Sequence, residues 1–265
     1  MTICIAAIGN CKEKDKESIV FATDHMVSIG GIGEFEHEID KFKVIPNDNS
    51  KTVAMLAGAP LLFGGILKDI PESSNFSLIK ERIHENLLNI RKDKTQREVF
   101  NRFNIDWESM PTLLQHPQPT PIIMRILEFV SNFTLGTNIL LIGFEDNVAQ
   151  IADINENDYA DFRDINFHAI GSGSMQAENT LLFQRHSKKD KLSTTLYNVY
   201  KAKRNSEVSV GVGKETDIKV MTQNDILSID EENLNKLSQI YDNEIKSGKE
   251  NKILEDIVNS LKNIN

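Results

Sequence analysis

Two hydrophobic periods alternate along this chain. Residues 2–8 are mostly small or β-branched, as are Ile19, Val20, Phe21, Ala22 and Thr23. The pattern predicts two strands joined by the charged loop 9–18, a hairpin at the extreme N-terminus. A third strand is predicted over 42–45 and a fourth over 52–57, where Gly58 and Pro60 stop it. The period then lengthens. Leu78, Ile79, Ile83, Leu87 and Ile90 recur at helical steps, and Ile122, Ile123, Ile126, Leu127 and Val130 repeat the pattern. Between these helices, residues 104–121 hold four of the seven prolines and the one tryptophan, Trp107, and read as an irregular insertion, a lid or a surface loop.

Strand patterns return at 138–144 and 148–153, separated by the turn-prone Glu145, Asp146 and Asn147. A strand at 167–170 runs into Gly171, Ser172, Gly173 and Ser174. Two helical stretches follow, the second marked by Leu192, Leu196, Val199 and Tyr200, and then a strand at 217–221. Sheet, helices, sheet, helices, with antiparallel hairpins in both halves, imply an α+β domain of two stacked sheets between helical layers, a four-layer αββα sandwich. Beyond residue 222, Ser228 and Glu231 form a capping box, and Leu234, Leu237, Tyr241 and Ile245 make an apolar stripe that Gly248 ends. A last amphipathic stretch, 253–264, must dock on the body or on a neighbouring subunit. Residues 1–222 are thus one domain and 223–265 its helical extension.

Composition narrows the function. The chain has 265 residues, 40% apolar and 26% charged, which is ordinary globular usage. Its 30 basic and 39 acidic residues leave −9, the wrong sign for neutralising phosphates, so nucleic acid is not an expected partner. No apolar run approaches the roughly 18 residues of a membrane span, and residues 1–10 lack the basic start of a signal peptide. The expectation is a cytoplasmic protein away from membranes. Cys4 and Cys11 are too few for a disulfide framework or a structural zinc site. The six histidines show no ligand spacing, and Gly171-Ser172-Gly173 lacks a third glycine, since Gln176 stands there, so neither metal nor dinucleotide is expected. Cys4 shares a strand face with Thr2, but a small buried thiol is its commoner fate.

Thr2 carries the candidate chemistry. Once Met1 is removed, its α-amine, titrating near pH 8, can take the proton of its own hydroxyl, so that nucleophile and base are one residue. Such a hydroxyl needs a nearby cation and a backbone donor for the oxyanion. Lys41 or Lys43, which strand alternation places on one face, supplies the first. Asp24, at the end of the second strand, pairs with it, and Gly58 offers an unobstructed N–H.

The order of these pieces resembles the β-type subunits of proteasomes and their bacterial relatives, including the ancestral-β-subunit group, among the N-terminal-nucleophile (Ntn) hydrolases. The resemblance rests on Thr2, Ala22-Thr23-Asp24, the Lys43-Val44-Ile45 strand, Met55-Leu56-Ala57-Gly58 and Gly171-Ser172-Gly173-Ser174-Met175-Gln176-Ala177, over residues 2 to about 222. It implies Thr2 as nucleophile, Lys43 as the tuning cation, Asp24 as its partner, Gly58 as oxyanion donor and Ser172 in the network around the amine. Ser28 would contact the substrate backbone and Leu56 line an apolar specificity pocket. It also implies a threonine-type peptidase without cofactor, a homo-oligomeric ring or stack, peptide or unfolded-protein substrates and an ATP-dependent unfoldase as partner. Asn205 departs from the pattern, because the family usually has an aspartate after arginine there. That favours the alternative of a catalytically inactive ring-forming subunit, and the proline-rich insertion favours a small-molecule amidase.

Overall fold

The computed structural model describes residues 2–11, 17–29, 33–36, 41–46, 51–71, 74–115 and 120–249. Among these residues, six strands come first: β1 (Ile3–Gly9), β2 (Ser18–Asp24), β3 (Met26–Ile29), β4 (Gly33–Glu36), β5 (Phe42–Pro46) and β6 (Lys51–Ala57). The helices α1 (Phe63–Ile66), α2 (Phe76–Glu98), α3 (Met110–Leu114) and α4 (Pro121–Asn132) follow. Then come β7 (Asn138–Glu145), β8 (Val148–Ile154), β9 (Tyr159–Asp161), β10 (Phe167–Gly171), α5 (Ser174–Phe183), α6 (Leu192–Ser206), β11 (Thr216–Met221), β12 (Ile226–Ser228) and α7 (Glu231–Lys249).

One sheet has the order β10-β1-β2-β11-β12 and the other β5-β6-β7-β8-β9. Every residue of β1 and β2 is buried, which explains why these strands read as continuous apolar runs instead of alternating: both faces are covered. Cys4, Ala6, Phe21, Met55, Leu140 and Ile170 meet in a core between the sheets. A second core lies on the outer face of the other sheet, where Ile79, Ile83 and Leu87 of α2 pack with Ala54, Leu141 and Ile154. Helices α5 and α6 cover the first sheet, with Ala177, Leu181, Val199 and Ala202 buried. The architecture is therefore the αββα sandwich that the element order implies.

The departures have local causes. The β3–β4 hairpin pairs Val27 with Phe35 and stands apart from both sheets, in a stretch whose glycines and acids hide its alternation. The turn between β7 and β8 places Asp146 and Asn147 at φ 49° and 65°, as a tight hairpin of the primed type requires. The insertion is not a bare loop. Val99, Phe100, Met110 and Ile126 form a small core of their own, with Trp107 edge-on to Phe100 at 4.7 Å between centroids.

The chain divides into two compact units, Met1–Leu227 and Ser228–Asn265. In the second, Asp230 caps α7, its carboxylate accepting from the Asn233 N–H at 2.8 Å. The helix thus starts after the cap predicted at Ser228 and runs through Gly248. The stripe expected at 253–264 lies outside the described residues. Among the described residues, no helix is long and apolar enough to cross a membrane.

Candidate active site

Thr2 immediately precedes β1 and is nearly buried. The pairing of β1 with β10 sets Ile3 opposite Gly171. Gly171 has φ 102°, and a Cβ there would lie 2.2 Å from the Thr2 carbonyl oxygen, so only glycine lets the two strands approach this closely.

Asp24 closes β2 and is fully buried. Its Oδ1 accepts from the Thr2 hydroxyl at 2.5 Å and from the Ile3 N–H at 3.0 Å. Its Oδ2 accepts from the Gly213 N–H at 2.8 Å and the Met26 N–H at 3.3 Å. Lys41 Nζ lies 2.5 Å from Asp24 Oδ1 and also donates to the Thr2 hydroxyl oxygen. Burial alone would raise the Asp24 pKa, but the Lys41 charge and the surrounding donors reverse this and hold it below the usual carboxylate value. A hydroxyl that donates to a carboxylate and accepts from an ammonium is aligned for proton removal, and the cation stabilises the oxyanion left behind.

The lysine at this centre is Lys41, not the favoured Lys43. Lys43 is exposed, with its ammonium 5.1 Å from the centroid of the Phe63 ring. Alternation treats the two as sharing a face, but Lys41 lies in a bend before β5 begins, and so escapes the pleat. Its backbone carbonyl is still anchored, accepting from the Leu56 N–H at 3.0 Å.

Gly58 lines the cavity beside Thr2 with φ 121°, where a Cβ would meet the Gly136 carbonyl oxygen at 2.3 Å. Ser172 also lines it, donating to the Thr2 carbonyl at 3.4 Å. Leu56 does not. Its side chain packs with Phe63 and Ile66 in the helix-side core, and its carbonyl accepts from the Cys4 thiol at 3.6 Å. Burial pushes that thiol up to about 12, so Cys4 is a poor nucleophile. Ser28 lies on β3 opposite Glu34, and its side chain is outside the described residues. Asn205 faces α5, where its amide donates to the Thr180 hydroxyl at 3.0 Å.

The cavity measures about 720 Å³. It is also lined by a polar group that sequence reasoning missed. His168 sits between Asp153, at 3.2 Å from Nε2, and Glu178, at 2.8 Å from Nδ1, and stacks on Phe162. Burial pulls the His168 pKa down, but the two carboxylates outweigh it and raise it above the ordinary value. The three residues come from β8, β10 and α5, so no sequence spacing joins them. Gly213 was missed for another reason: its contribution is a backbone N–H, which no side-chain type announces.

No family model matches the sequence, and no curated protein matches it. Among solved structures, the chain is similar to the Anbu (Gly-1) mutant from Hyphomicrobium sp. strain MC1, with a TM-score of 0.61 at 14% identity, over 95% of this chain and 97% of that one. At that identity the likeness is one of fold, and it agrees with the proteasome-subunit-like sandwich that the motif order implies.

Proposed function

We propose that this chain is a threonine-type peptidase or amidohydrolase whose nucleophile is Thr2. The observation that carries the reading is the Thr2 hydroxyl held by buried Asp24 and Lys41 at the wall of a 720 Å³ cavity. With the preceding residue removed, the Thr2 α-amine accepts the hydroxyl proton as Oγ1 bonds to the substrate carbonyl carbon. The Gly58 N–H steadies the oxyanion. The C–N bond then breaks, the leaving amine takes up the proton, and water, deprotonated by the same amine, releases the acyl group from Oγ1. Lys41 tunes the hydroxyl, Asp24 holds Lys41, and Ser172 orders the Thr2 backbone.

Assembly into a homo-oligomer belongs to the same reading. Met175, Leu182 and Phe183 expose 69%, 59% and 83% of their surfaces on α5, an apolar face suited to a second copy. A ring would enclose the sites and admit unfolded chains delivered by an unfoldase.

Intact-mass analysis and a peptide-hydrolysis assay test the proposal together. Loss of Met1 with turnover abolished in Thr2→Ala is the expected result. Turnover unchanged in Thr2→Ala overturns it, and retained Met1 without turnover leaves the ring-forming, inactive subunit as the better reading.

A further inference from the structure

Lys203 is the one fully buried lysine among the described residues. It stands in the last turn of α6, where a cation favours the helix dipole. An ammonium has three donors, and all three are used: on Glu207 Oε1 at 2.7 Å, the Gly213 carbonyl at 2.9 Å and the Lys214 carbonyl at 2.8 Å. Desolvation lowers its pKa, with Glu207 and Asp24 acting against that and Arg204 reinforcing it. A charge so placed is retained only where its partners compensate the loss of water.

The position of those partners is informative. Gly213 gives its carbonyl to Lys203 and its N–H to Asp24 Oδ2 at 2.8 Å. A single residue therefore links the buried ammonium to the carboxylate that holds Thr2 and Lys41. Of the donors to Asp24 named above, Gly213 is the one supplied by the distant 207–215 segment. Its place depends on Lys203 gripping two successive carbonyls. We propose that Lys203 is a positioning residue for the Thr2 centre, acting through the Gly213 peptide on Asp24. This rests on the peptidase reading for its catalytic consequence but not for the coupling itself.

The charged and titratable groups that bear on the pair are few. Asp24 is faced by Lys41 from before β5 and by Cys4 from β1, and Lys203 by Glu207 and Arg204. His25, next to Asp24 in sequence, pairs instead with Glu215 and Asp217 at 3.4 and 3.1 Å. Removing the Lys203 charge and the Gly213 donor both make the Asp24 carboxylate harder to keep ionised, so its pKa rises. The acid limb of kcat/KM moves to higher pH, and kcat falls about tenfold or more with KM little changed, the scale of one hydrogen bond to a charged group.

Two measurements on the full-length chain separate positioning from general support. The first is the pH profile of peptide hydrolysis for wild type, Lys203→Met and, as a control for loss of a buried lysine elsewhere, Lys80→Met. Lys80, on α2, is paired with Asp161 of the edge strand β9 at 2.7 Å. The second is a double-mutant cycle of Lys203→Met with Asp24→Asn by denaturant unfolding at pH 7, which needs no activity. The expected results are a shifted acid limb in Lys203→Met alone and non-additivity worth about fivefold or more in the folding equilibrium. If Lys203→Met fails to fold, Lys203→Gln replaces it, since its amide can still reach a carbonyl while the charge is gone. An unshifted limb, a shift equal to that of Lys80→Met, or an additive cycle each overturns the proposal. Should Thr2→Ala leave turnover intact, the peptidase reading falls while the cycle still decides whether Lys203 and Asp24 are coupled.

Discussion

The Thr2 hydroxyl is flanked by two charges that would each be costly without the other. Asp24 is fully buried and Lys41 is 9% exposed, so truncating either leaves its partner desolvated and unpaired. Lys41→Met should therefore destabilise the fold by about 3 kcal/mol and abolish peptide turnover. Lys43→Met, which loses only an exposed contact with Phe63, should stay within about 1 kcal/mol of wild type and keep its activity. Denaturant unfolding and a hydrolysis assay on the two variants check both halves of this statement. The contrast also marks the limit of reading a site from sequence. That Thr2, Gly58 and Ser172 lie together, with Asp24 touching Thr2, was legible because each sits at a strand end or turn whose motif is local. The choice between Lys41 and Lys43 was not, because it depends on where the pleat begins, and a bend of one residue decides it. Leu56 was assigned to the cavity for want of the same information: its face is set by the pairing of β6 with β5 and β7.

At the scale of elements, the site exists because β1 and β10 pair closely enough to lay Thr2 beside Ser172. Gly171 is the hinge of that approach. An alanine there would need φ 102° and a Cβ 2.2 Å from the Thr2 carbonyl oxygen, so the strands must separate or the chain must turn. Gly171→Ala is expected to cost about 2 kcal/mol or more in stability and to reduce turnover disproportionately, because the displaced atom belongs to Thr2 itself. Unfolding midpoints set against kcat for this variant separate the two effects. The long strands were legible as apolar runs of about seven residues, and the helices α2, α4 and α6 by an unbroken helical period. The short ones, β3, β4 and β9, fall below the length at which alternation distinguishes a strand from a loop, and β12 has only three residues.

At the scale of the whole molecule, the insertion has a core of its own among the described residues, smaller than the core between the sheets and the one under α2. The prolines of 104–121 suggested an irregular loop, but its apolar residues are matched by Val99 and Phe100 upstream and Ile126 downstream, a long-range pairing that no window reveals. Since Trp107, the only tryptophan, packs there, its fluorescence reports this lobe rather than the sandwich. Phe100→Ala should lower the fluorescence-detected transition by about 3 kcal/mol and move the far-UV transition less. Coincident shifts of both probes would show that lobe and sandwich unfold as one.

Beside the apolar core between them, the two sheets also meet at the cavity in an ionic contact. His168 on β10 meets Asp153 on β8, while Glu178 of α5 holds its other nitrogen, so one imidazole ties the two sheets and the helix layer together. Because its folded pKa is raised, the stabilisation is complete below the unfolded value of about 6.5 and disappears as pH rises through the folded pKa. Stability should thus fall across and above neutrality by an amount absent from His168→Gln, whose amide bonds the carboxylates without titrating. The difference between the two unfolding free energies, followed from pH 6 to pH 9 (roughly the span either side of the imidazole's titration), isolates this contact. A difference that stays flat would mean that the imidazole titrates alike in the folded and unfolded chain, and one that rises with pH would mean that His168 is neutral in the folded chain. The cavity wall would then carry both carboxylate charges uncompensated, and a cationic substrate group would be drawn to it more strongly than the paired geometry allows.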